Sequence, residues 1–198
     1  YLINMKTKSL HNQLVDWRHD LHMNPQISFE EVYASNKVAN LLNEFGIEVH
    51  QGIAKTGVVG VLKKGTSNKS IGIRADMDAL PIQENSGLPF ASKNDGVMHA
   101  CGHDGHIAML LGAAQVLCQS KKKYHGTVRF IFQPAEEGGG GARYMIEDGC
   151  LDNLNEIYGI HVWNYQPYGE VGVKEGPIMA SADMFDIKIK GIGGHGAA

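Results

Sequence analysis

The order of elements written into this chain of 198 residues predicts an α/β sandwich built on a largely parallel sheet. Three observations carry that expectation. Apolar residues recur at helical spacing in several separate segments, and short β-branched runs bounded by Gly, Asn and Ser stand between them. The run over 128–132 is almost continuously apolar, as a central strand covered on both faces requires.

Taken in order, Leu10, Leu14, Trp17 and Leu21 mark a first helix that Pro25 stops. Ser28 with Glu31 three residues on has the form of a capping box for a second helix through Val38, Leu41, Leu42 and Phe45, closed by Gly46. Residues 47–49, 57–62 and 70–74 read as strands. Residues 81–100 are too polar and irregular for an element, and a loop of that length is functional or disordered. From Asp104 a helix follows, with Ile107, Ala108, Leu110, Leu111, Ala114 and Leu117 on its apolar face. After the strand at 128–132, glycines 138–141 lead into a helix over 142–147 that Asp148-Gly149 ends. Residues 157–162 read as another buried strand, and 184–190 alternate as a half-exposed strand does.

Composition narrows the function classes. With 43% hydrophobic and 20% charged residues the chain lies in the soluble globular range. Lys+Arg 18 against Asp+Glu 21, a net charge of -3, leaves no basic surplus for phosphates, so nucleic acid is not an expected partner. The one basic run, Lys121-Lys122-Lys123, reads as a solvated helix end or loop. No apolar stretch approaches the roughly 18 residues of a membrane span, so no membrane partner is expected. Three cysteines, an odd count without a secretory signal, argue against a disulfide framework and for a reduced, cytoplasmic setting. The 25 glycines gather at sharp motifs, which implies tight turns around a site.

Three segments fall at carboxyl ends of strands, where open α/β sheets place ligands: 74–81, 133–138 and 160–164. A fourth, 99–106, opens the helix after the long loop. In Cys101-Gly102-His103, a thiol and an imidazole two apart can face one metal, with glycine letting the backbone bend between them. The alternative is a packed Cys101 with His99, His103 and His106 as loop or capping residues. Glu136 and Glu137 follow the apolar strand, and adjacent side chains there point in different directions. One carboxylate can then bind metal while the other handles the proton of an attacking water. Acids at the start of a glycine-led helix are the plainer reading. His161 by itself reads as a satisfied core histidine rather than a ligand, and gains weight only from the two segments above. Asp76 and Asp78 either orient a ligand or form an acidic turn before Pro81.

Four motifs in this order, Arg-Ala-Asp-Met-Asp-Ala-Leu-Pro from Arg74, His-Ala-Cys-Gly-His-Asp-Gly-His from His99, Pro-Ala-Glu-Glu-Gly-Gly-Gly-Gly-Ala from Pro134 and Gly-Gly-His-Gly-Ala from Gly193, resemble the M20 metallopeptidase superfamily. More narrowly they resemble its amidohydrolase branch of hippurate hydrolases, N-acyl-amino-acid amidohydrolases and auxin-conjugate hydrolases. The resemblance runs from Trp17 to His195. It implies a three-layer α/β/α zinc-peptidase-like sandwich with a mixed, mostly parallel sheet over residues 1–180, and the start of a ferredoxin-like lid domain over 181–198.

The resemblance also implies two divalent metal ions, zinc or manganese, held by Cys101, His103, Glu137 and His161, with Cys101 shared between them. It makes Glu136 the general acid/base and His195 the lid histidine that polarises the scissile carbonyl. Asp76 takes the place of a histidine ligand of other branches. Arg18, His19 and His22 match a helix motif and read as structural. The implied reaction is hydrolysis of the amide of a small N-acyl amino acid by a metal-activated water, in a homodimer formed through the lid. Members of the superfamily are about twice as long, and their later residues supply a last histidine ligand, most of the lid and closing strands. An inactive fragment that binds metal or a partner is therefore the competing expectation. A carboxypeptidase or aminopeptidase of the same superfamily is a third, against which the Cys-Gly-His motif argues by resemblance.

Overall fold

The computed structural model describes residues 2–121, 124–181, 183 and 185–197, with side chains from Leu10 onward. Two compact units divide the chain, Tyr1–Val162 and Trp163–Ala198. The first holds all the regular elements of the described residues: α1 (Leu2–Met23), α2 (Val32–Glu44), β1 (Glu48–Ile53), β2 (Gly57–Lys64), β3 (Ser70–Asp76), α3 (His103–Gln119), β4 (Gly126–Gln133), α4 (Gly141–Glu147) and β5 (Glu156–Gly159). No helix among the described residues is long and apolar enough to cross a membrane.

One five-stranded sheet has the order β1-β2-β4-β3-β5. It is mixed: β1 with β2 and β2 with β4 pair antiparallel, while β3 with β4 and β3 with β5 pair parallel. The pairings thus divide evenly rather than being mostly parallel. β1 and β2 form a hairpin, which permits only antiparallel pairing, whereas the parallel pairs use crossovers through α3 and α4.

β4 lies in the middle, and its alternation sorts the core. Val128, Phe130 and Phe132 join Leu21, Val38, Leu42, Ile107 and Leu111 from α1, α2 and α3 on one face. Ile131 joins Val59, Met145 and Cys150 on the other, under α4. Each fully buried Leu, Ile or Phe stabilises the unit by roughly 1.5–3 kcal/mol. The C-terminus of α3 is held by Lys64, whose Nζ donates to the carbonyls of Leu117 (2.8 Å), Cys118 (3.1 Å) and Ser120 (3.3 Å). A cation there also complements the helix dipole.

Three local expectations are corrected. Glu31 does not close a capping box: the α2 N-terminus has no side-chain cap bond, and the buried Glu31 carboxylate is drawn instead to the Phe29 amide, the Thr56 hydroxyl and the Ala135 amide. The strand expected buried over 157–162 is β5, four exposed residues on the sheet edge, because it pairs with β3 alone. The alternating segment at 184–190 begins on Met184, outside the described residues, and 185–190 carry no strand. Phe185, Ile187 and Ile189 are exposed there, since an alternating run becomes a strand only when it has a neighbour to pair with.

The second unit carries no helix or strand among its described residues. The expected 180/181 boundary falls inside it.

Candidate metal centre

Parallel pairing of β3 with β4 sets Asp76 against Gln133, and β3 with β5 sets Arg74 against Gly159. Three chain segments therefore leave the same sheet edge side by side: 77–80, 134–137 and 160–162. The N-terminus of α3 faces them.

His103, in the first turn of α3, has its Nδ1 2.8 Å from the Asp78 carbonyl oxygen. A carbonyl can only accept, so Nδ1 carries a proton, and in the neutral ring Nε2 presents a lone pair. That Nε2 lies 3.6 Å from Asp76 Oδ2, 3.8 Å from Glu137 Oε1 and 4.0 Å from Glu136 Oε2. Cys101 Sγ lies 3.4 Å from His161 Nε2, and His161 Nδ1 donates to the Val162 carbonyl (2.6 Å). Gly102, between Cys101 and His103, has φ +87°, and a Cβ there would meet Val162 Cγ2 at 2.5 Å. Glycine thus allows both the left-handed turn and the close approach of the segment bearing His161.

The turn holding the two glutamates is fixed from both sides. Ala135 has φ +50°, and its amide donates to Glu31 Oε1 (2.8 Å). The Glu137 amide donates to Asp78 Oδ2 (2.9 Å), which also accepts the Ser28 hydroxyl (2.8 Å). The side chain of Glu136 is 40% exposed and that of Glu137 22%, so adjacent carboxylates face different surroundings. Asp76 is held by Arg74 Nη1 on Oδ2 (2.7 Å) and by His106 Nδ1 on Oδ1 (2.6 Å).

The electrostatics are those of a site with surplus negative charge. Burial, with Glu137, Glu136 and Asp76 nearby, pushes the Cys101 thiol up to about 12. Burial and the Glu137 charge raise Glu136. Burial opposes the charge on His103, yet the Asp78 hydrogen bond and the Asp76, Asp78 and Glu137 carboxylates raise it. Burial also opposes the charge on Asp76, but His106, Arg74 and His103 hold it well below the usual carboxylate range. A bound cation offsets such a field.

Two sets of donor atoms lie within 4.8 Å of one another: Cys101, His103 and Glu137, and Asp76, His103, His106 and His161. His103 Nε2 and Glu137 Oε1 are buried with no hydrogen-bond partner. Leaving such atoms unsatisfied costs roughly 1–3 kcal/mol each. Thiol, imidazole and carboxylate aimed at one small volume fit a divalent transition metal, which would ionise the thiol on binding.

Five of the six residues singled out from sequence meet here: Cys101, His103, Glu136, Glu137 and His161. His161 stands beyond the end of β5 rather than within a strand. The sixth, His195, is an exposed residue of the second unit whose Nδ1 accepts the Ala197 amide (3.2 Å). Sequence reasoning gave His106 no part in the site beyond that of a loop or capping residue, and gave Glu31 only that of a helix cap. His106 carried a signal, since it sits three residues from His103 on the same helix face. Glu31 carried only a misleading one.

The Arg18-His19-His22 motif serves the long loop. Asp104 Oδ2 lies 2.8 Å from both Arg18 Nε and His22 Nδ1, and His22 Nε2 reaches loop residue Glu84 (3.3 Å). Phe90 of the loop stacks on His19, ring centroids 3.7 Å apart.

Residues 72–194 match the peptidase family M20/M25/M40. The chain is 50% identical over 192 residues to an N-acetylcysteine deacetylase of Bacillus subtilis, covering 96% of this chain and 50% of that protein. It is 45% identical over 194 residues to thermostable carboxypeptidase 2 of Saccharolobus solfataricus, covering 96% and 49%. A Bacillus subtilis crystal structure described as a dinuclear metal binding peptidase of the M20 family superposes with TM-score 0.82 at 49% identity, covering 86% of this chain and 48% of that one. The chain spans about half the length of these curated relatives. With the four motifs, the mixed sheet and the donor cluster at its edge, this match shows that the chain belongs to the M20/M25/M40 peptidase family.

Proposed function

We propose that this chain is the metal-holding part of a hydrolase that cleaves the amide of small N-acyl amino acids such as hippurate. One observation carries the reading: the lone pair of His103 Nε2 and the Glu137 Oε1 oxygen are buried, unpartnered and 3.8 Å apart, with Cys101 and the half-exposed Glu136 beside them. Cys101, His103, Glu137 and His161 would hold two divalent ions, zinc or manganese. Such ions supply Lewis acidity, polarising an amide carbonyl and lowering the pKa of water towards neutrality.

The chain's own groups do the rest. Glu136, raised by burial and by Glu137, accepts the proton of the attacking water and delivers it to the leaving amine. Asp78 keeps His103 in the tautomer that leaves Nε2 open, and through Oδ2 it holds the Glu137 backbone. Residues 181–198 begin a lid through which two copies pair in the cytoplasm, and His195 assists at the scissile carbonyl.

The test is hydrolysis of hippurate and N-acetyl amino acids by the full-length protein after chelation and reconstitution with zinc or manganese, with metal counted per chain. Metal-dependent release of free amino acid supports the reading. Two ions bound with no amide cleaved on any N-acyl amino acid favours a metal-binding module without catalysis. A carboxypeptidase cleaves the same bond type, so peptides belong in the panel; cleavage of peptides alone overturns the substrate class and keeps the chemistry.

A further inference from the structure

Four potential donors, Asp76, His103, His106 and His161, crowd one volume, and nothing in their residue types separates ligands from supports. Their hydrogen bonds do. The Val162 amide donates to His106 Nε2 (2.9 Å). An amide N–H can only donate, so Nε2 is unprotonated and its lone pair is already used. Nδ1 then carries the proton and gives it to Asp76 Oδ1 (2.6 Å). Arg74 takes the other oxygen, Oδ2 (2.7 Å). His106 thus has one proton and one lone pair, both committed, and both Asp76 oxygens are engaged.

We propose that His106 is a positioning residue: its imidazole ties the Asp76 carboxylate at the end of β3 to the Val162 amide beside His161, and binds no metal itself. His106 is 2% exposed and packs beside the two imidazoles that do present donors, with centroids 4.5 Å from His161 and 5.5 Å from His103. His161 follows a four-residue edge strand, and its own Nδ1 bonds its neighbour's carbonyl. The Val162 bond to His106 anchors that segment to α3. His103 and His106 lie one helical turn apart on α3, so one element supplies both the ligand and the brace for the other arm. Asp76, fully buried, adds negative charge without leaving its two partners.

This inference rests on the reading of the cluster as a divalent-metal centre. It is tested on the full-length protein by zinc affinity, from competition with a chromophoric chelator, and by X-ray absorption, which counts imidazoles per zinc. His106→Leu removes both bonds; His106→Asn keeps an N–H for Asp76 and loses the acceptor for Val162. Circular dichroism of the metal-free proteins checks folding, and His106→Asn carries the test alone if the leucine variant does not fold.

The expected result is a 10–100-fold weaker affinity, as is usual when a ligand's support is removed, with metal stoichiometry and imidazole count at saturation unchanged. Loss of one imidazole per site makes His106 a ligand and overturns the proposal. Affinities within twofold of wild type also overturn it, while leaving the metal centre standing. Wild-type protein that takes up no zinc or manganese overturns the metal reading itself.

Discussion

The carboxylate of Glu31 accepts the amide hydrogen of Ala135 across 2.8 Å, and Ala135 holds φ +50° immediately before the two site glutamates. A non-glycine residue in the left-handed region persists where its surroundings over-determine it. Glu31 does so with one oxygen on the Phe29 and Ala135 amides and the other on the Thr56 hydroxyl. Glu31→Ala leaves these donors buried without an acceptor and should destabilise the protein by roughly 3 kcal/mol in urea unfolding. Glu31→Gln retains one acceptor oxygen and should lose less than half as much. Equal losses in the two variants count against the hydrogen-bonding role.

Glu136 and Cys101 should separate chemistry from metal retention. Glu136→Gln keeps shape and removes the base, so turnover should drop by about 10²–10⁴-fold with metal content near wild type. Cys101→Ala should strip metal. Metal analysis and kinetics on the same preparations check both, and metal lost from Glu136→Gln moves that residue into the ligand set.

Gly102 is constrained twice, by φ +87° and by Val162 Cγ2 at 2.5 Å from a would-be Cβ. Gly102→Ala should cost roughly 2 kcal/mol in stability and also weaken zinc binding, because Val162 adjoins His161. Val162→Ala in the same chain should recover part of the loss. No recovery would assign the whole cost to the backbone angle.

His22 lies 2.8 Å from Asp104 and 3.3 Å from Glu84, with Arg18 on its own helix, the Phe90 ring beside it and the His99 ring centroid 6.4 Å away. The Asp104 hydrogen bond outweighs burial and raises its pKa above the ordinary histidine value. A folded-state pKa above the unfolded one means stabilisation that is complete below the unfolded pKa and is lost as pH rises through the folded one. In chelator, the unfolding free energy of wild type minus that of His22→Gln should therefore be larger at about pH 5.5 than at about pH 9. A difference that grows with pH contradicts the assignment.

The local parts of the molecule were legible because their causes are local. Spacing of Leu14, Trp17 and Leu21, or of Ile107, Leu110, Leu111 and Ala114, places apolar groups on one helix face whatever lies opposite. The apolar run through Phe130 and Phe132 became the middle strand for the same reason. Cys101, His103, Glu136 and Glu137 were visible as motifs because turn geometry and ligand chemistry are both written within a few residues.

What only the tertiary structure decided is which groups answer one another across the chain. Glu31 has the local spacing of a helix cap, but its partner Ala135 lies 104 residues away, and a buried amide without an acceptor outweighs an optional cap. β5 and the 184–190 segment both read as strands from sequence; the first became an edge strand because β3 lies beside it, and the described residues of the second have no strand to join. His106 resembles a ligand until the Val162 amide, 56 residues on, is seen to occupy its lone pair. Residue type and spacing determine which atoms are able to bind; the fold determines which of those atoms are still unoccupied, because each lone pair and each proton is used only once.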